Sequence, residues 1–158
     1  MNHKRSTIAV ILAAMAACAP VSGPATGQDM MSGLDLASPR FTQATMTRAD
    51  IEAKLAALPK GAALDLSAAS LNGLDLSNLD LRRTKLQSAY LNKANLAGAN
   101  LEGVMLDQAW ALDADLTGAH LAGASLFATQ LWRAKLDRAD LSKARIAADF
   151  MNASAMAA

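Results

Sequence analysis

The sequence predicts an all-β solenoid, assembled from stacked five-residue units rather than from helices or a flat sheet. Three observations predict it. Leu occupies positions 66, 71, 76, 81, 86, 91, 96, 101 and 106, then 116, 121, 126, 131, 136 and 141, so only Ala111, Ile146 and Met151 interrupt a column of 18 positions spaced by five. Two residues ahead of every column position but Met151 sits a small or apolar residue, and in eleven cases it is Ala. The composition is 53% hydrophobic but only 4% aromatic, so Leu and Ala must fill the interior with few rings to help. A helix repeats about every 3.6 residues and a strand about every 2, and neither accounts for a strict five. A unit that turns its Leu and small neighbour inward, and gives its other positions to solvent, buries that Leu only against units above and below it.

The units themselves carry a resemblance. Ala94-Asn95-Leu96-Ala97-Gly98, Ala99-Asn100-Leu101-Glu102-Gly103 and Ala139-Asp140-Leu141-Ser142-Lys143 are similar to the Ala-(Asp/Asn)-Leu-x-x unit of the pentapeptide-repeat family, and the resemblance covers about 90 residues. It implies a right-handed quadrilateral β-helix with four units, about 20 residues, in each coil and a Leu at the centre of each face. The 18 column positions then make about four and a half coils, stacked at the ~4.8 Å spacing of paired strands. An Ala/Leu-rich helical bundle fails on period.

The segments ahead of the repeats follow in order. His3, Lys4 and Arg5 precede an apolar run from Ile8 to Ala17, half the roughly 20 residues that a spanning helix needs, which fits the hydrophobic region of a secretory signal. Met15-Ala16-Ala17-Cys18 resembles a bacterial lipobox, which implies that residues 1–17 are a signal peptide cut before Cys18 and that the Cys18 thiol carries lipid. The other exit is ordinary cleavage after Gly27, where Ala25, Thr26 and Gly27 make a small-x-small pattern before Gln28. Residues 18–45 hold Pro20, Pro24 and Pro39 with Gly23, Gly27 and Gly33 and keep no period, so they read as a flexible tether. Residues 46–60 predict a short capping helix, because Thr47 and Asp50 are spaced as a capping box and Ile51, Leu55 and Leu58 make one apolar stripe. Pro59 and Gly61 end it. Residues 61–151 form the β-helix, and residues 152–158 are a C-terminal tail.

Charge and chemistry-bearing residues limit the function. The chain has 15 Lys and Arg against 14 Asp and Glu, too even a balance for a one-sign surface directed at nucleic acid. The pentapeptide-repeat resemblance suggests, as the alternative reading, a protein that imitates duplex DNA and protects topoisomerases. Imitation needs about one negative charge per 1.7 Å of axis. From Ala62 onward there are ten acidic residues and nine basic ones. Cys18 is the only Cys, which excludes an internal disulfide, and beyond the leader only His120 supplies an imidazole, so no nucleophile–base constellation, metal site or cofactor is expected. Folding at 20 residues per coil stacks Asp80, Asn100, His120 and Asp140 in one column, which reads as a solvated polar ladder. The basic run Arg133, Lys135, Arg138, Lys143 and Arg145 spreads over all four faces and reads as a solvated collar.

The same folding assembles a candidate binding surface. Tyr90, Trp110 and Phe150 share one face and one place in the unit, with Gln130 between the last two, and Trp132 and Leu112 join that face from the other flank. An exposed aromatic strip of this kind suits contact with a protein or an envelope component; the other reading is that Phe150 covers the open lower coil and the Trp rings lie flat over thin, Ala-rich walls. Ala111 between Trp110 and Leu112 is expected either to thin this wall or to let Leu112 slip inward, while an outward residue such as Asn92 is expected to tolerate Asp. The C-terminal end, with Ile146, Phe150 and Met151, is expected to remain open and to allow an end-to-end homodimer. The function expected is a non-enzymatic scaffold or protein-binding module, exported to the periplasm and tethered to the outer membrane only through the lipid on Cys18.

Overall fold

The computed structural model describes residues 34–149 and 152–154. They form a right-handed quadrilateral β-helix preceded by two short helices, α1 (Pro39–Thr42) and α2 (Arg48–Ala56). The extended stretches β1 (Leu64–Asp65), β2 (Thr84–Lys85), β3 (Ser125–Gln130) and β4 (Arg145–Asp149) are the longest pieces of a ladder made mostly of single parallel bridges. Successive coils pair at a separation of 20 residues, as in Ser70 with Tyr90, Tyr90 with Trp110, and Trp110 with Gln130.

The period of five follows from where each unit sends its backbone N–H groups. In the unit around Leu91, Leu91 N donates to Trp110 O at 2.6 Å and Lys93 N to Leu112 O at 2.7 Å, both on the next coil. Tyr90 N reaches back to Ala69 O at 2.9 Å, and Ala94 N closes a turn on Leu91 O at 3.0 Å. The remaining N–H belongs to the residue just after the Leu. At many units a side chain takes it: Asp65, Asp75, Asp80, Asn95, Asn100, Asp115 and Asp140 each accept the N–H two residues on through Oδ1. This Asx turn is the physical reason for Asp or Asn ahead of the Leu, because an unpaired N–H on a packed wall is costly.

The corner lies two residues after the Leu. Gly98 has φ +66°, and the same left-handed region is occupied at other corners by Lys93, Gln108 and Arg138. Positive φ at the third residue of a turn closed from Leu to Ala is the signature of type II geometry.

The interior is a Leu and Ala column. Leu71, Leu91, Leu101 and Leu121 are fully buried, and Ala89, Ala99, Ala109 and Ala119 fill the space beside them. Ala111 keeps the inward place, donating its N–H to Gln130 O at 2.8 Å as its Leu counterparts do, so Leu112 has not slipped into the column. At the upper end Thr47 and Asp50 form the reciprocal capping box that starts α2, and Ile51 is buried in the same core as Leu66. Leu55 and Leu64 pack against it, so the helix closes the first coil.

Two expectations are corrected by the backbone. The tether does not run through residue 45: α1 and the residues after it dock on the prism, because Phe41 finds an aromatic seat and Ala44 forms an antiparallel bridge with Leu71. At the lower end the register slips by one residue between β3 and β4, so Asp149 pairs with Gln130 and Ser154 with Lys135. The strict spacing of 20 ends there. Phe150 and Met151 lie outside the described residues, as do Cys18 and the leader.

Candidate functional site

The face centred on Leu71, Leu91, Ala111 and Leu131 carries the predicted aromatic residues. Its upstream flank is the column Ser70, Tyr90, Trp110, Gln130 and its downstream flank is Asn72, Asn92, Leu112, Trp132. Tyr90, Trp110 and Trp132 are half-buried, and Leu112 is buried. The register gives the place below Gln130 to Asp149, and Phe150, the remaining member of the expected surface, lies outside the described residues.

The strip is not bare, and the cause is the chain itself. Residues 34–46 run across it as a strap. Phe41 meets Tyr90 edge-on with ring centroids 5.3 Å apart, and meets Trp110 at 5.2 Å. The Arg40 guanidinium lies 5.3 Å from the Tyr90 ring centroid. Beneath the rings the strap's main chain is held by side chains of the prism. Ser70 Oγ donates to Gln43 O at 2.6 Å, Asn72 Nδ2 to Arg40 O at 2.9 Å and Asn92 Nδ2 to Phe41 O at 3.3 Å. Thr45 N in turn donates to Ser70 O at 2.8 Å.

Ser70, Asn72 and Asn92 are buried polar residues, which corrects the expectation that Asn92 faces solvent. Burial is tolerated because each group finds partners. Asn72 Oδ1 accepts Asn92 N and Asn92 Oδ1 accepts Leu112 N, both at 3.0 Å. The two amides thus form a ladder that links three coils to one another and to the strap.

Beside Phe41 the strap leaves an open cleft of about 240 Å³, walled by Leu36, Leu112, Lys93, Asp113 and Arg133. Arg133 and Asp113 form a two-pronged ion pair with both contacts at 2.6 Å. The guanidinium holds the Asp113 carboxyl below its ordinary value and is itself raised. Other basic residues are also engaged: Arg82 with Asp80, Lys135 with Asp115, and Arg83 with Pro59 O and Ala62 O.

The remaining sequence readings fall as follows. Asp80, Asn100, His120 and Asp140 are joined by successive parallel bridges, and among the described residues no group of three His, Cys, Asp or Glu side chains is placed to hold a metal ion. An adjacent face carries a feature that the sequence reading missed. Phe127 is 60% exposed and Met105 38% exposed, above a shallow cleft lined by Asp107, Ser125, Arg145 and Ile146. Its signal was available, since Phe127 breaks the polar run Ser67, Gln87, Asp107 at the same place in earlier coils.

The match to a known protein family agrees with this architecture. The family described as pentapeptide repeats matches in eight copies over residues 65–103 and 113–146. No curated protein matches the chain. Among solved structures, the pentapeptide-repeat protein Rfr23 from the cyanobacterium Cyanothece 51142 is 27% identical over 55% of this chain and 60% of its own, with a TM-score of 0.41. A pentapeptide-repeat protein from Nostoc PCC 7120 is 36% identical over 62% of this chain and 74% of its own, with a TM-score of 0.32. HetL, from the same Nostoc strain and described as involved in heterocyst differentiation regulation, is 25% identical over 66% of this chain and 54% of its own, at 0.31. The chain thus spans 60% of the length of the first of these and 54% of the third.

Proposed function

Because the chain belongs to the pentapeptide-repeat family, we propose that it is a non-enzymatic binding module or scaffold of the bacterial envelope, exported by its leader and held at the outer membrane through a lipid on Cys18. Members of this family are in general structural or binding proteins, and a rigid prism suits that role because its faces stay in fixed relation. The observation that carries the reading is the strap. The chain that leads from Cys18 toward the prism is pinned to one face at Phe41, so the tether leaves the prism on that face and the other faces stay free to meet a partner.

The protection of topoisomerases has less support. Ten acidic against nine basic residues from Ala62 onward give no dense negative stripe, and Asp80, Asp113 and Asp115 are each paired with a cation.

Fractionation of cells expressing the full chain, with mass spectrometry of the mature N-terminus, tests the reading. A diacylated Cys18 in the membrane fraction is expected. A chain starting at Gln28 in the periplasm would keep export and remove the lipid anchor. An intact Met1 in the cytosol would overturn the envelope role.

A further inference from the structure

The strap is recognised in two separable ways. Ser70, Asn72 and Asn92 donate to the main-chain carbonyls of Arg40, Phe41 and Gln43, groups that every peptide carries. These contacts read the path of a backbone and not its side chains. Only one strap side chain is read in depth, because between residues 34 and 45 Phe41 alone is buried while its neighbours stand exposed or half-exposed. Its ring sits edge-on to both Tyr90 and Trp110.

We propose that this face is an aromatic-anchored peptide-binding site, filled in cis by residues 38–45 and able to accept in trans a peptide of the same chemistry. That chemistry is one aromatic side chain flanked by main-chain carbonyls free to accept hydrogen bonds. A segment that buries a single large side chain belongs to the low-stability end of a structure and opens without unfolding the rest. The prism does not depend on it for its interior, since the core column of Leu and Ala is built from residues 51 to 141. Once the strap lifts, the Asn72, Asn92 and Ser70 donors and the Tyr90 and Trp110 rings are left without partners on that side. An incoming peptide restores both kinds of contact together. While the strap is docked it competes at an effective concentration in the millimolar range, as short tethered ligands do, so the site is silent to weak ligands until the strap is weakened or drawn away.

The inference deepens the binding-module reading and rests on it, but its test uses the purified chain, so its failure is distinct from a failure of N-terminal processing. A fluorescently labelled synthetic peptide spanning residues 34–46 is titrated into the full chain carrying Phe41→Ala and into the unaltered chain. Saturable binding to the Phe41→Ala chain is expected, at least roughly tenfold weaker binding to the unaltered chain, and a similar loss when the peptide itself carries Phe41→Ala. No binding to a cooperatively folded Phe41→Ala chain, or equal binding in all three cases, would overturn the proposal. Failure of that variant to fold would overturn it as well, since the strap would then be part of the fold and not a removable occupant. Hydrogen exchange on the unaltered chain gives a second reading. The Gln43 and Thr45 amides should exchange well before those of Leu91 and Leu96, whereas exchange in step with global unfolding would contradict a strap that lifts alone.

Discussion

The side-chain Oδ1 of Asn92 accepts the backbone N–H of Leu112 one coil further on, at 3.0 Å. The same amide donates through Nδ2 to Phe41 O at 3.3 Å, so one residue ties two coils and the strap together. Asn92→Asp retains the acceptor but loses the donor and buries a charge. A loss of about 1–3 kcal/mol is expected in urea denaturation. A change below a few tenths would mean that the ladder contributes little.

Leu96 is 1% exposed and Leu116 3% exposed, both in the inward column. Replacing either with Asp removes ~1.5–3 kcal/mol of apolar burial and leaves an unpaired carboxylate in the core. Circular dichroism should report an unfolded or aggregated chain, while Glu102→Gln, at an exposed position just after Leu101, should keep the parent melting temperature.

Ala111 stands where Leu71, Leu91 and Leu131 stand on the same face, and it holds the same register. The core is therefore short of one Leu side chain at that level. Ala111→Leu should raise the thermal midpoint, by up to ~1–3 kcal/mol of added stability. A lower midpoint would show that the wall has already drawn in to fill the space.

The corners offer a second route to stabilisation. Gln108 sits at φ +60° with its side chain exposed. A non-glycine residue in this region is strained, and Gly relieves the strain at some cost in chain entropy. Gln108→Gly should stabilise by about 0.5–1 kcal/mol. Gly98→Ala should do the reverse, since Ala would have to hold φ +66° there, while the exposed Asn78 side chain, whose Oδ1 lies 2.6 Å from the new Cβ, can swing aside.

Acid should weaken the prism in a defined window. Asp65 and Asp75 are held below their ordinary value chiefly by hydrogen bonds from Ser67 and Ser77, and Asp80 by its hydrogen bond from Arg82. Their folded values lie below the unfolded value of about 3.9, so the stability they contribute is complete above that pH and is lost as pH falls through the folded values. Urea midpoints should be flat from pH 7 down to about 5 and fall below about 4. A midpoint that rises on acidification would contradict the Asx-turn account.

Much of this protein was legible in one dimension, because a solenoid repeats the same local problem. The spacing of Leu96, Leu101 and Leu106 determined the inward column, Asp and Asn ahead of the Leu marked the turns, and Thr47 with Asp50 marked the start of α2. Gly73, Gly98, Gly103, Gly118 and Gly123 all stand two residues after the column, so the sequence also carries the left-handed corners. Stacking at a fixed interval even placed Tyr90 above Trp110. What covers those rings was decided only in three dimensions. Phe41 is one aromatic in a segment of Pro, Thr and Ser with no period, and nothing local distinguishes it from a tether residue. Its partners lie at positions 90 and 110, and the carbonyls beside it are claimed by Asn72 and Asn92. The slip that puts Asp149 beside Gln130 is likewise a property of pairing between coils. Periodicity reports interactions that recur at a constant separation along the chain, whereas a strap that docks once, and a register that shifts once, leave no repeat to read.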